Sequence, residues 1–82
     1  MKVPVIRQFV QNSTPEQLES TLEVLEAFCE FRGVNDTEID VAGEMITNIC
    51  GALEVHAKIG DGMLEKDALN AFAQRVMGSI DR

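Results

Sequence analysis

With 82 residues, 14 acids against 7 bases and a formal charge of −7, the sequence has room for one small acidic domain over residues 1–82 and for no second core. A chain of this size buries only about 60% of its unfolded surface, so a staple is expected: a disulfide, a metal or a second copy of the chain. The seven bases are scattered, which argues against a nucleic-acid backbone or an anionic membrane as partner.

The first element is a short amphipathic helix over Val3–Gln11, with Val5, Ile6, Phe9 and Val10 on its apolar face and Pro4 near its start. The β-branched Val3, Val5 and Ile6 leave an extended arm as the competing reading. Thr14-Pro15-Glu16-Gln17 then reads as a capping box with Pro at the first helical position. The spacing predicts a second helix from Pro15 to Arg32, with Leu18, Leu22, Leu25 and Cys29 inward, Val24, Phe28 and Phe31 widening that face, and Gly33 as a left-handed terminator. Glu16, Glu19, Glu23, Glu26 and Glu30 stripe another side, either as a solvated back or as a face for a basic partner.

Asn35 and Glu38 have capping-box spacing ahead of a third helix, Thr37 to Ile59, stopped by Gly60-Asp61-Gly62. Its inward positions are Ile39, Ala42, Ile46, Ile49 and Leu53, with His56 next in the same 3-4 spacing and Met45 and Cys50 alongside. Gly43, Thr47 and Gly51 recur every four residues, and interior glycine costs up to about 1 kcal/mol relative to alanine. Another backbone is therefore expected close to that stripe, from the second helix or from a second subunit. The last helix begins between Asp61 and Leu64 and reaches about Met77, with Leu64, Ala68, Leu69, Phe72, Val76 and Ile80 inward.

No chemistry-bearing motif emerges. There is no Asp-Ser-Leu of an acyl carrier protein, no complete EF-hand loop, no His-Glu-x-x-His and no phosphate-binding Gly-rich loop, and no metal or other cofactor is expected. His56 reads as a partly buried structural histidine, and Cys29 and Cys50 as reduced, small apolar core residues in a cytoplasmic protein. Residues 1–6 are too short an apolar run for a secretory signal before Arg7, and no stretch approaches the roughly 20 residues of a membrane span.

The opening Met-Lys-Val-Pro-Val-Ile-Arg, the run Gly51-Ala52-Leu53-Glu54-Val55-His56, and the close Ala68-Leu69-Asn70-Ala71-Phe72 with Arg75-Val76-Met77-Gly78-Ser79-Ile80-Asp81 resemble a family of short uncharacterised bacterial proteins. That resemblance implies a free-standing small cytoplasmic protein and assigns no catalytic or binding residue.

The expected fold is all-α: three main helices and a short N-terminal one, joined up and down and completed by dimerisation. The expected function is that of a non-enzymatic, self-associating protein-interaction module. Its packing or interface residues would be Leu22, Leu25, Gly43, Ile46, Thr47, Ile49, Gly51 and Leu53. The alternatives are an acidic inhibitor or regulator of a basic protein, and a small-ligand or metal-binding enzyme using His56 and Cys50.

Overall fold

A computed structural model of the protein describes the backbone of residues 1–80 and the side chains of residues 1–76. Four helices follow one another: α1 (Val3–Asn12), α2 (Pro15–Glu30), α3 (Asp36–Gly60) and α4 (Glu65–Ile80). Among the described residues there is no strand, so the fold is all-α. The N-terminal segment is helical rather than an extended arm, with Pro in the first turn where its missing N–H costs nothing.

Both expected capping boxes form. The Gln17 N–H donates to Thr14 Oγ1 (3.1 Å) while the Thr14 N–H donates to Gln17 Oε1 (2.9 Å). Asn35 and Glu38 repeat the exchange at 2.8 and 3.0 Å. Each box satisfies two backbone donors that the first turn of a helix leaves orphaned, and so fixes where α2 and α3 start.

Several details differ from the sequence reading, among them Ile39, expected inward but 39% exposed on the first turn of α3. Helix α2 ends at Glu30, not Arg32, because Phe31 leaves the helical region for an extended conformation (φ −72°, ψ 132°) and the Val34 N–H closes a turn onto the Phe31 carbonyl. Gly33 is not the left-handed terminator; it makes room for a ring, since a Cβ there would sit 3.0 Å from Phe31 Cε2. The glycine that does take positive φ is Gly62 (+109°), just past the end of α3. Leu64 stands outside α4, 72% exposed instead of inward, and lends its carbonyl to the Ala68 N–H as the helix begins. The inward placement expected of Ile80 falls outside the described side chains.

Helix α3, about 37 Å long at 1.5 Å per residue, is the axis of the molecule. It packs against α1, α2 and α4, α1 also meets α4, and among the described residues the α2 backbone approaches neither α1 nor α4. Helix α1 runs parallel to α3, with Lys2 beside Asn48 and Ser13 beside His56. Helices α2 and α4 run back the other way, which gives the up-and-down path. The core is a strip of Ile6, Val10, Leu18, Ile49, Ala52, Val55, Ala68, Leu69 and Phe72, drawn from all four helices. The whole is a slab of 42 × 33 × 16 Å, about two helices thick.

Candidate functional site

The sides of α2 explain which surface stays open. At 100° per residue, the stripe of Leu18, Leu22, Leu25 and Cys29 faces α3, while the Glu16–Glu30 stripe and the pair Val24 and Phe28 lie roughly 110° round from it on opposite flanks. The acids are thus on one flank of α2 and exposed apolar side chains are on the other. Val24 and Phe28, expected to widen the core face, are 68% and 41% exposed because the single neighbour α3 is too narrow to cover that flank, and Phe31, which has left the helix, is 70% exposed.

On α3, Val41, Met45, Asn48 and Ala52 keep 4-3-4 spacing and form one stripe. Its second half is buried, with the Lys2 N–H at the start of α1 donating to Asn48 Oδ1 (2.8 Å). Its first half is open: Val41 is 58% and Met45 39% exposed. Between this open half and α2 lies a groove of about 330 Å³, lined by Val24, Leu25 and Phe28 from α2 and by Glu38, Val41, Ala42 and Met45 from α3. Two further depressions, beside Ser13 and Ser20 and between Arg7 and Glu65, are lined largely by polar side chains.

The residues singled out in the sequence divide between this surface and the core. Leu25 lines the groove, Leu22 and Leu53 pack half-buried against the core, Ile46 is half-buried, and Ile49 and Gly51 are fully enclosed. The close approach expected along the small-residue stripe exists only at Gly51, and it is made by side chains of α1 and α4. A Cβ there would meet Ile6 Cδ1 at 2.8 Å and Phe72 Cζ at 2.9 Å. Around Gly43 nothing lies within 4 Å of such a Cβ, and exposed Thr47 turns its hydroxyl back onto the Gly43 carbonyl (2.8 Å). Val41 was missed by sequence reasoning, although its 4-3-4 spacing with Met45, Asn48 and Ala52 marks the stripe.

Cys50 is exposed, not a core residue, because it lies on a side of α3 that no other helix covers. His56 is half-buried and its Nε2 lies 3.0 Å from the Ser13 carbonyl, so the ring nitrogen there carries a proton and donates. It fastens the α1–α2 corner to α3. Six residues apart, His56 and Cys50 point about 120° away from one another on the helix, and the structure does not bring them together. Among the described residues no group of three or more His, Cys, Asp or Glu side chains is placed to hold a metal.

A polar knot fixes the other end of α1. The Met1 ammonium contacts Glu44 Oε2 (2.9 Å), and the Asn48 amide donates to the same oxygen (3.1 Å). The ammonium first, then the Asn48 amide, hold the Glu44 carboxyl below the usual carboxylate range. Asn48, 4% exposed, is the buried polar side chain among the described residues. Asn48→Ala leaves the Lys2 N–H without its acceptor and is expected to cost about 1–2 kcal/mol, read as a lower thermal midpoint with faster amide exchange at the start of α1.

A model of a family of unknown function (DUF6952) matches residues 1–81 of the chain. The chain belongs to that family. All three runs that carried the sequence resemblance lie within the match. No curated protein and no solved structure matches the chain. Membership of DUF6952 therefore brings no assigned ligand to the groove, and its chemistry must be read from its own residues. Among the described residues no helix is long and apolar enough to cross a membrane.

Proposed function

We infer that this DUF6952 protein is a non-enzymatic protein-interaction module that self-associates through the α2–α3 groove. The observation that carries this reading is the groove itself, an apolar strip left open beside a core that the chain closes unaided. The side chains around it support the reading, since Val24 and Val41 are exposed and Phe28 and Met45 are each about two-fifths exposed. A two-fold pairing would lay Val24, Phe28, Val41 and Met45 of one subunit on the same residues of its partner.

Sedimentation at micromolar concentration tests the reading. The expected mass is twice 9.0 kDa, falling to that of one chain in Val41→Gln with helicity unchanged, since Val41 is a surface position. A single-chain mass for the unaltered protein overturns self-association.

A second reading, an acidic regulator of a basic protein, is favoured by the way charge is distributed. Residues 15–57 carry ten carboxylates and one base, Arg32, whereas the rest of the chain has four acids and six bases. The α2–α3 hairpin is thus strongly negative and the remainder slightly positive. Two copies meeting through their hairpins repel one another, so self-association is expected to tighten as salt screens that repulsion.

A further inference from the structure

Helices α1 and α4 run antiparallel, and the Gln11 amide clasps them by donating to Glu65 Oε2 (2.8 Å). One turn back along α1 is Arg7, and one turn on along α4 are Leu69 and Asn70. With Gln11, Glu65 and Lys66 they line a cavity of about 410 Å³, a size that falls within the roughly 300–1,000 Å³ of small-molecule sites. Leu69, 3% exposed, is its apolar floor, and the rest of the lining is polar.

The cations set this cavity apart. The chain carries 14 acids to 7 bases, so a basic side chain has many acids to choose from, and Arg75 takes Glu54. Among the described residues, by contrast, neither Arg7 nor Lys66 makes an ion pair or a hydrogen bond. Helix α1 holds no acid that could reach Arg7. Lys66 stands in the first turn of α4, where the positive end of the helix macrodipole disfavours a cation, and Glu65 and Asp67 on either side offset that cost without pairing with it. Two unneutralised cations bordering one cavity repel each other, and an anion between them relieves the repulsion. The Arg7 fork and the Lys66 ammonium together supply two positive charges, which match the roughly −1.5 to −2 of a phosphate monoester near neutral pH better than the single charge of a carboxylate. The Asn70 amide, also without a partner among the described residues, adds a donor. Glu65 lies at the Gln11 end, one turn from Arg7, where its carboxylate repels a phosphate but accepts from a hydroxyl.

We propose that the α1–α4 cavity binds a small, hydroxyl-bearing phosphate monoester, with the phosphate on Arg7, Lys66 and Asn70, the body over Leu69 and a hydroxyl on Glu65. The cavity shares no residue with the α2–α3 groove, so this site and self-association stand or fall separately.

The test is an NMR titration of the isotope-labelled full chain with glycerol phosphate at low salt. Amide shifts are expected on the walls of α1 and α4 that border the cavity, with the groove residues unmoved. Arg7→Gln and Lys66→Gln, both at exposed positions, are each expected to weaken binding about tenfold. Arg32→Gln removes the same charge from the α2–α3 connection and should change affinity by less than about twofold. Glycerate, with one charge, should bind about tenfold more weakly than glycerol phosphate. The proposal falls if glycerol phosphate moves no amide at the cavity, or if Arg7→Gln binds it unchanged. An equal loss in Arg32→Gln would mean general attraction to any cation of the chain, and would overturn it as well. Inorganic phosphate binding as tightly as glycerol phosphate, or glycerate doing so, would remove the phosphate monoester as the ligand.

Discussion

Phe72→Ala is expected to lower the stability of this protein by about 3–5 kcal/mol, the usual cost of emptying a large buried aromatic site. The ring is 3% exposed, closes over Gly51 and has the Arg75 guanidinium 5.6 Å from its centroid. It fastens α4 to α3, and the cavity left behind is bordered by helix backbone that cannot easily collapse. A domain of this length has a total stability on the order of 4–12 kcal/mol, so the loss is a large share of it. Thermal unfolding followed by circular dichroism should show the midpoint falling by at least about 12 °C, at roughly 4–8 °C per kcal/mol. A fall of only a few degrees would mean that the ring is not part of the core. The companion variant Leu64→Ala, which trims an exposed side chain away from the groove, is expected to leave the midpoint nearly unchanged.

The second large effect lies across the contact, at Gly51. Alanine at a helix-interior glycine normally gains up to about 1 kcal/mol of helix propensity. At Gly43 nothing opposes that gain, and Gly43→Ala is expected to raise stability. At Gly51 the new methyl would stand 2.9 Å from Phe72 Cζ and 2.8 Å from Ile6 Cδ1. The isoleucine tip can swing aside, but the aromatic ring is rigid and enclosed. Overpacking of this kind costs about 1–3 kcal/mol, so it offsets the propensity gain and leaves Gly51→Ala destabilising. Gly51→Leu, with three more carbons to place, should prevent the four helices from closing. Opposite signs for the same glycine-to-alanine change, eight residues apart on one helix, would be read as midpoints moving in opposite directions. If both move upward, the close approach at Gly51 is not there. Pairing Gly51→Ala with Phe72→Leu should recover part of the loss, because the two sites share one space.

What could be read from the sequence was what local chemistry decides. The caps at Thr14 and Asn35, the inward Leu18, Ile49, Ala68, Leu69 and Phe72, and the stop near Gly60 each follow from spacing or from backbone donors that need partners. What could not be read depended on how many neighbours each helix has. The spacing of Val24 and Phe28 marks them as apolar beside a core stripe, but only the tertiary arrangement, with α2 resting on α3 alone, leaves them open. The same holds for Cys50, whose side of α3 has no helix over it, and for Gly43 and Gly51, which are alike in sequence and unlike in surroundings. At Phe31 the local signal itself misled. Gly33 looks like a helix terminator, yet the chain has already turned extended two residues earlier.

The dependence of α2 on one neighbour has a consequence of its own. Helices α1, α3 and α4 form a mutually supporting trio, whereas α2 is tethered by short connections at both ends and leans on a single wall. Its amide protons should therefore exchange with solvent ahead of those along α3, through partial openings that leave the trio standing. In those moments Ala42 and Ile49 lose their cover, and the molecule shows a face that its resting form keeps hidden.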